Sequence, residues 1–273
     1  MKSSSGIILV FGALLVVTFA GILVHQVTGY SYPVSSPAMD FELNVLGDLY
    51  EAALLVPLGV LAIVAVRKGN RYAPILITFV TVHFTYNYAM AVTGRQNLWI
   101  FVWIAKLSLS AVVLCLVSPM LPAPAGLRRG PRLAMAAYLV LVVLAFSGMM
   151  GERLWASASG QAVDMTMQQF GSVDWGDPVL RDPVVFFSMV VPAMAAGIIG
   201  LLKKAEWGAK AAAASCTFTV SIVTVILFTG PLKELLMAGR VSGPMLAMSG
   251  VMLLAAGPAA WFVTLLTKEQ ALS

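Results

Sequence analysis

The stretch NLWIFVWIAKLSLSAVVLCLVSP, residues 97–119, contains a single charged side chain, Lys106. A helix needs about 20 mostly apolar residues to cross a bilayer, so this stretch is long enough. The whole chain continues the pattern, because 60% of its 273 residues are hydrophobic and only 11% are charged. A soluble domain has roughly 25% charged residues, and disordered chains are poor in apolar residues. The composition therefore indicates an integral membrane protein.

Seven further apolar runs accompany this one, which predicts an all-α, polytopic transmembrane helix bundle of about eight spans. We expect the spans at about 6–28, 46–66, 73–94, 97–119, 132–150, 183–202, 210–230 and 243–266. The first run could also be a cleaved signal peptide, since Lys2 precedes it. Its apolar stretch continues to Val24, longer than the roughly 7–15 residues of a signal sequence, so an uncleaved span is favoured.

On this interpretation residues 1–273 form a single transmembrane domain with two longer outer loops, 29–45 and 151–182. Within the second loop, the stretch from Asp164 to Asp182 is predicted to include a short surface helix. Two halves of four spans each would have the same orientation and would be joined by the basic connector at 128–132. No residue-level match between the halves is evident, so a duplication of the two halves is left open.

The positions of the basic residues predict the orientation of the bundle. If the N-terminus is cytoplasmic, the inner segments hold 11 basic and two acidic residues, whereas the outer segments and adjacent helix ends hold five basic and ten acidic ones. This asymmetry recurs at each loop, so an N-in, C-in topology in the inner (plasma) membrane is expected. Because the basic residues lie in short clusters between apolar runs, membrane insertion explains the net charge of +5, and no nucleic-acid partner is expected.

Sequence motifs for familiar enzymatic chemistry are missing. Cys115 and Cys216 lie in apolar stretches without a C-x-x-C spacing, and two histidines, His25 and His83, are few for a multi-histidine metal or haem site. There is no P-loop, no H-E-x-x-H, no G-x-S-x-G and no helix-opening G-x-G-x-x-G. We therefore predict no metal site and no catalytic residue, leave the cofactor unknown, and favour a protein that is not an enzyme.

Polar and ionisable residues inside the spans are the first candidates for function, because they are costly to place in a bilayer. At 1.5 Å per residue, Glu51, Asn87 and Lys106 lie roughly 8, 10 and 14 Å below the outer boundary. They could therefore share one outward-facing polar cavity formed by spans two to four. The candidate residues of this cavity are Asp48, Glu51, His83, Tyr86, Asn87 and Lys106.

Lys106 is the most informative of these candidates. An unpaired ammonium at this depth is unfavourable by roughly 3 kcal/mol on insertion scales, so we predict that it pairs with Glu51. The pair could contact a substrate anion or act as a gated ion pair, or it could only fix the helix order. His83 likewise has two interpretations, an interhelical hydrogen bond or a proton relay or axial haem ligand.

Two segments, Tyr86-Asn87-Tyr88 in span three and Val191-Pro192-Ala193 to Trp207-Gly208 around span six, carry a resemblance. They resemble a loose group of uncharacterised prokaryotic multi-span membrane proteins, over about residues 46–230. The resemblance implies an eight-span helical fold. It implies no activity, so no functional residue is carried over.

Two functions stay open at this point. The first is transport of a small solute or proton through the outward-facing cavity, which predicts that water reaches Lys106. The alternative is a non-catalytic membrane subunit or sensor that binds a lipid, quinone or partner protein within the bilayer. That role predicts a dry, paired Lys106 and an exposed small-residue face within 243–257. An intramembrane haem or quinone enzyme is the third possibility.

Overall fold

The computed structural model describes residues 2–28, 45–92, 100–123, 127–159, 163–165, 168–170 and 183–270. Within these ranges the backbone is helical apart from short connections and one hairpin, in which β1 (Val163–Met165) pairs antiparallel with β2 (Gln168–Phe170). The helices in chain order are α1 (Lys2–Thr28), α2 (Gly47–Arg67), α3 (Ala73–Val92), α4 (Ile100–Val117), α5 (Arg129–Ala158), α6 (Pro183–Leu202), α7 (Glu206–Ala238) and α8 (Gly243–Gln270).

Seven of these helices, all except α3, are long and apolar enough to cross a membrane. Helix α3 has 20 residues and carries three buried threonines, Thr78, Thr81 and Thr85. Each threonine hydroxyl donates to the carbonyl four residues earlier, which satisfies it inside an apolar bundle. The predicted all-α class is thus confirmed for the described ranges, and seven to eight helices have the character of membrane spans.

Two outer segments differ from the sequence prediction. Helix α5 continues to Ala158, because residues 151–158 contain no proline, so the beginning of the predicted loop 151–182 is helical. The surface helix predicted from Asp164 is wrong where that segment is described, since the hairpin occupies residues 163–165 and 168–170. The loop 29–45, apart from Val45, lies outside the described residues, as does the gap 93–99 between α3 and α4.

Helices α2 and α6 share an interruption at equivalent positions. In α2 a π-helical turn, Glu51–Leu55, precedes Val56 and Pro57; in α6 the turn Phe186–Val190 precedes Val191 and Pro192. Proline lacks an amide hydrogen and its ring crowds the carbonyl four residues earlier, and a widened turn relieves both effects. The π-helical turn and the proline of α2 both recur 135 residues later in α6.

The turns that follow these two helices repeat one another with the same 135-residue offset. Gly69 (φ 65°) in the first turn and Lys204 (φ 58°) in the second both have positive φ. The bonds Lys68 N–Val64 O, Gly69 N–Val66 O and Asn70 N–Ala65 O correspond to Lys203 N–Ile199 O, Lys204 N–Leu201 O and Ala205 N–Gly200 O. The duplication that the sequence left open is therefore visible at the backbone level.

Helix packing follows the same repeat. In the first half α1 packs on α2 and α4, and α3 packs on α2 and α4; in the second half α5 packs on α6 and α8, and α7 packs on α6 and α8. The halves meet mainly where α3 packs against α7. The two halves are thus units of four helices with the same packing pattern.

Candidate functional site

A cluster of buried polar side chains lies at one end of the first half. It sits where α1 and α3 end and where α2 and α4 begin, so consecutive antiparallel helices bring these positions to one level. Three ionisable side chains are almost completely buried there, with exposed fractions of 7% for Glu51, 1% for His83 and 6% for Lys106. Burying such groups is costly unless they are partnered, so their contacts decide what the cluster can do. We call it the polar cluster and define it by Asp48, Tyr50, Glu51, His83, Asn87, Tyr88 and Lys106.

Tyr88 connects the two buried charged groups. Its hydroxyl donates to Glu51 Oε2 at 3.1 Å, and the Lys106 ammonium lies 4.5 Å from the centre of its ring. The Thr18 hydroxyl is 3.4 Å from the Tyr88 hydroxyl and completes its hydrogen bonding from α1. Glu51 and Lys106 also interact electrostatically, so their predicted direct pairing stays a prediction, and Tyr88 contacts both groups. A desolvated cation over an aromatic ring is stabilised by about 2 kcal/mol.

Helix α1 makes room for the Lys106 side chain. A Cβ atom added to Gly21 would lie 3.3 Å from the lysine Nζ, so the glycine allows the ammonium to approach the α1 backbone. The carboxylates of Glu51 and Asp48 are the described acidic groups that interact electrostatically with this ammonium. The site around Lys106 is therefore shaped by α1, α2 and α3 together.

His83 and Tyr50 each have a buried polar atom without a hydrogen-bond partner. Asn87 Nδ2 donates to His83 Nε2 at 2.7 Å, which leaves the proton of a neutral ring on Nδ1. His83 Nδ1 and the Tyr50 hydroxyl are both buried without a hydrogen-bond partner, although their rings are 5.1 Å apart. A buried polar atom without a partner costs about 1–3 kcal/mol. Such atoms mark strain, function or a place for water.

A partly exposed pair closes the outer end of the polar cluster. His25 Nδ1 contacts Asp48 Oδ2, and Gln26 Nε2 donates to the same oxygen at 3.2 Å. The side chains of His25 and Asp48 retain 16% and 20% of their exposure, more than the groups beneath them. Asp48 and Glu51 are one helical turn apart on α2, so ionisable groups follow one another from this rim into the interior.

Tyr86 lies apart from the polar cluster in this structure, and its predicted role in a cavity stays a prediction. Its ring packs on Phe218 of α7 with ring centres 5.2 Å apart. At 100° per residue, Tyr86 lies about 60° from His83 in the direction opposite to Asn87, and that direction faces the second half of the bundle. The structure brings the other five predicted residues, Asp48, Glu51, His83, Asn87 and Lys106, to the same region.

The site predicted from the sequence did not include helix α1 or the two tyrosines Tyr50 and Tyr88. Thr18, Gly21 and His25 all contact or border the polar cluster. The run of α1 from Gly6 to Val24 has no charged residue, so nothing in the sequence marked that helix as part of a site. The one available signal was His25, which lies at the same outer level as Asp48 in the predicted topology.

The polar cluster is packed rather than open in this structure. Glu51, His83 and Lys106 are buried, and only the rim is partly exposed. A pocket of about 370 Å³ lies instead at the opposite end of the bundle, and no member of the polar cluster lines it. Among the residues that the structure describes, no group of three or more His, Cys, Asp or Glu side chains could hold a metal ion.

Comparisons of the chain with protein-family models, with curated proteins and with solved structures find no match. The resemblance to prokaryotic multi-span proteins stays an expectation. The function must therefore be argued from the polar cluster itself.

Proposed function

We propose that this chain is an eight-span protein of the plasma membrane with both termini in the cytoplasm. The basic and acidic residues support this orientation, since 11 of the 17 basic residues fall on one predicted side and ten of the 12 acidic residues on the other. Helix α3 is the eighth span, because it packs between α2 and α4 and satisfies its buried hydroxyls internally. The lipid bilayer is the main partner of the exposed apolar faces.

Through the polar cluster, the protein moves a proton, or a small solute together with a proton. The observation that carries this proposal is the continuous series of ionisable groups from the exposed rim to the interior. His25 and Asp48 form the rim, Glu51 follows one turn below, and Tyr88 links Glu51 to Lys106. Glu51 and His83 are the proton carriers, Lys106 is the counter-charge, and Asn87 orients His83.

A comparison with the second half of the chain favours a functional role for the polar cluster over a purely structural one. With the 135-residue offset, Glu51 corresponds to Phe186, His83 to Phe218, Asn87 to Ile222 and Tyr88 to Val223. The second half thus builds the corresponding α2–α3 packing with apolar side chains. Since apolar replacements of buried charges are often neutral or stabilising, a fold that needed only stability would have no use for the charges of the first half.

The π-helical turn offers a means of opening the closed site. Glu51 is the first residue of that turn, and π-helical turns often occur at functional sites because their hydrogen bonds can rearrange. Interrupted helices also line the substrate sites of many transporters. In this proposal, rearrangement of the turn before Pro57 exposes Glu51 to the outer side.

Proton flux into liposomes tests the transport proposal. Purified protein is reconstituted with a pH-sensitive dye inside, and a potassium gradient with valinomycin drives proton entry. We expect flux above that of protein-free liposomes, and its loss in Glu51→Gln. Glu152→Gln is the matched control, because Glu152 is an exposed acid at the end of α5 and lies outside the polar cluster. Wild-type flux no higher than that of protein-free liposomes would refute proton transport, and unchanged flux in a folded Glu51→Gln variant would refute the role of Glu51.

A second function, a membrane subunit that binds a partner protein in the bilayer, is favoured by one feature of α8. Gly243, Gly250 and Gly257 recur every seven residues, and a Cβ atom added to any of them would meet nothing within 4 Å. Such open small residues allow close approach of another helix. Native mass spectrometry of the gently extracted protein tests this function: a stoichiometric partner that Gly250→Leu removes supports it, and a monomer with bound lipid only argues against it.

A further inference from the structure

The pocket at the end opposite the polar cluster has an amphipathic lining. It lies between the α2–α3 turn, the end of α4 and the end of α8, where helix ends meet the membrane surface. About half of the lining is apolar and the rest is polar or cationic. The residues that form it are Val66, Gly69, Asn70, Arg71, Ala73, Pro74, Met120, Pro122, Thr267 and Gln270.

The rim of this pocket is basic. Arg71 is part of the lining, and its guanidinium lies over the Tyr72 ring at 5.2 Å from the ring centre. The exposed side chains of Arg67 and Lys68 lie on the preceding turn, and Lys268 lies on the last turn of α8. Glu269 is the acidic residue of that same turn. The pocket therefore combines a surplus of positive charge with apolar walls at the level of the lipid headgroups.

Asn70 is already oriented by the turn. Its side-chain oxygen accepts a hydrogen bond from the Tyr72 amide at 2.9 Å, and this fixes the side-chain amide beside Arg71. A guanidinium and an amide NH₂ group side by side are suitable donors for a phosphate oxygen. Arg71 and Asn70 thus place hydrogen-bond donors on the polar side of the pocket.

The equivalent turn of the second half lacks the space, and an acidic residue replaces the arginine there. Gly200 and Gly208 pack their backbones together there, since a Cβ atom added to Gly208 would lie 2.1 Å from the Gly200 carbonyl carbon. With the same offset, Arg71 corresponds to Glu206, which pairs with Lys210 at 2.7 Å. One backbone turn therefore occurs twice, and the space of the pocket and its arginine accompany it only in the first half.

We propose that this pocket binds the headgroup of an anionic phospholipid, with the phosphate on Arg71 and Asn70. The glycerol and first acyl carbons lie along Pro74, Met120 and Pro122. The apolar walls favour a lipid over free phosphate, because a hydrated ion gains nothing from them. Basic pockets between helix ends are suited to anionic lipids for the same reason. This site is separate from the polar cluster and does not depend on the transport proposal.

Lipid binding to the purified full-length chain tests the site. Native mass spectrometry and thermal unfolding are compared with phosphatidylglycerol, with phosphatidylcholine and with inorganic phosphate. We expect phosphatidylglycerol to bind and to raise the unfolding temperature more than the other two. Arg71→Gln should weaken binding by about fivefold, the usual contribution of one basic residue at an anionic surface.

Two matched pairs keep the test specific. Asn70→Asp places a negative charge beside the phosphate and keeps an oxygen that can accept from Tyr72, so it should also weaken binding. Ala205→Asp adds a negative charge at the equivalent position of the second half, and Lys203→Gln removes a cation there; both should bind like wild type. Equal loss in the second-half variants would show general attraction to basic loops and overturn the site. Equal stabilisation by inorganic phosphate would overturn the lipid assignment.

Discussion

A double-mutant cycle on Glu51 and Lys106 measures how the buried charges are balanced. Glu51→Leu leaves the ammonium with the Tyr88 ring and Asp48 alone, and it removes the acceptor of the Tyr88 hydroxyl. Lys106→Met leaves a carboxylate whose hydrogen bonds come from neutral side chains, Tyr88 at 3.1 Å and Asn87. Removing one member of a buried charge pair typically destabilises by about 3–5 kcal/mol, and a lost hydrogen bond to a charged group accounts for about 1.5–3 kcal/mol of this.

We expect each single variant to lower the free energy of unfolding by about 2–4 kcal/mol, because contact with Tyr88 still stabilises the remaining charge in part. The double variant should be more stable than either single variant, because replacing both charges by apolar groups is often neutral or stabilising. The assay is reversible unfolding in mixed detergent micelles, followed by circular dichroism.

Glu206 and Lys210 provide the control pair. They form an exposed i, i+4 contact at 2.7 Å, with side-chain exposures of 70% and 22%. Solvent screens such pairs, so the same cycle at these positions should show no measurable coupling. If the effects of Glu51→Leu and Lys106→Met were simply additive, the linkage through Tyr88 would be refuted.

Two further comparisons use neighbouring or equivalent residues. Tyr88→Phe should lower proton flux, because Glu51 loses the hydrogen bond from the Tyr88 hydroxyl. Tyr86→Phe should leave the flux unchanged, because the Tyr86 ring faces α7. Equal effects of the two variants in the liposome assay would contradict this assignment of helix faces. Gly208→Ala should destabilise the fold by about 3 kcal/mol or more, because the added methyl group overpacks against backbone. Gly250→Ala should be neutral in thermal unfolding, because its added methyl group has no neighbour within 4 Å. Tolerance of Gly208→Ala would contradict the tight α6–α7 contact.

Much of the architecture could be predicted from the sequence, because apolar runs of sufficient length leave few alternatives to membrane helices. The site could be predicted where charge made it visible: Glu51, His83 and Lys106 are conspicuous in apolar surroundings. The position of Tyr86 on the α7 side could not be predicted, because an aromatic residue fits either face of α3 and only the packing of α7 decides between them.

The internal repeat could not be predicted, for a different physical reason. What recurs is backbone geometry: a π-helical turn before a proline and a turn with positive φ. Different side chains satisfy these constraints in the two halves, as Gly69 and Lys204 illustrate. The contribution of α1 was equally hidden, because Gly21 matters only by leaving space for the Lys106 side chain.

Accessibility of position 106 from the outer side shows whether water reaches the polar cluster. Both native cysteines, Cys115 and Cys216, are replaced, and a single cysteine is placed at position 106 or, as a control, at Val113. Val113 is buried two turns deeper on the same face of α4. Intact cells are then treated with a membrane-impermeant thiol reagent. Transport through the polar cluster predicts labelling at position 106 and none at position 113. A correctly inserted protein that is labelled at neither position would contradict the account.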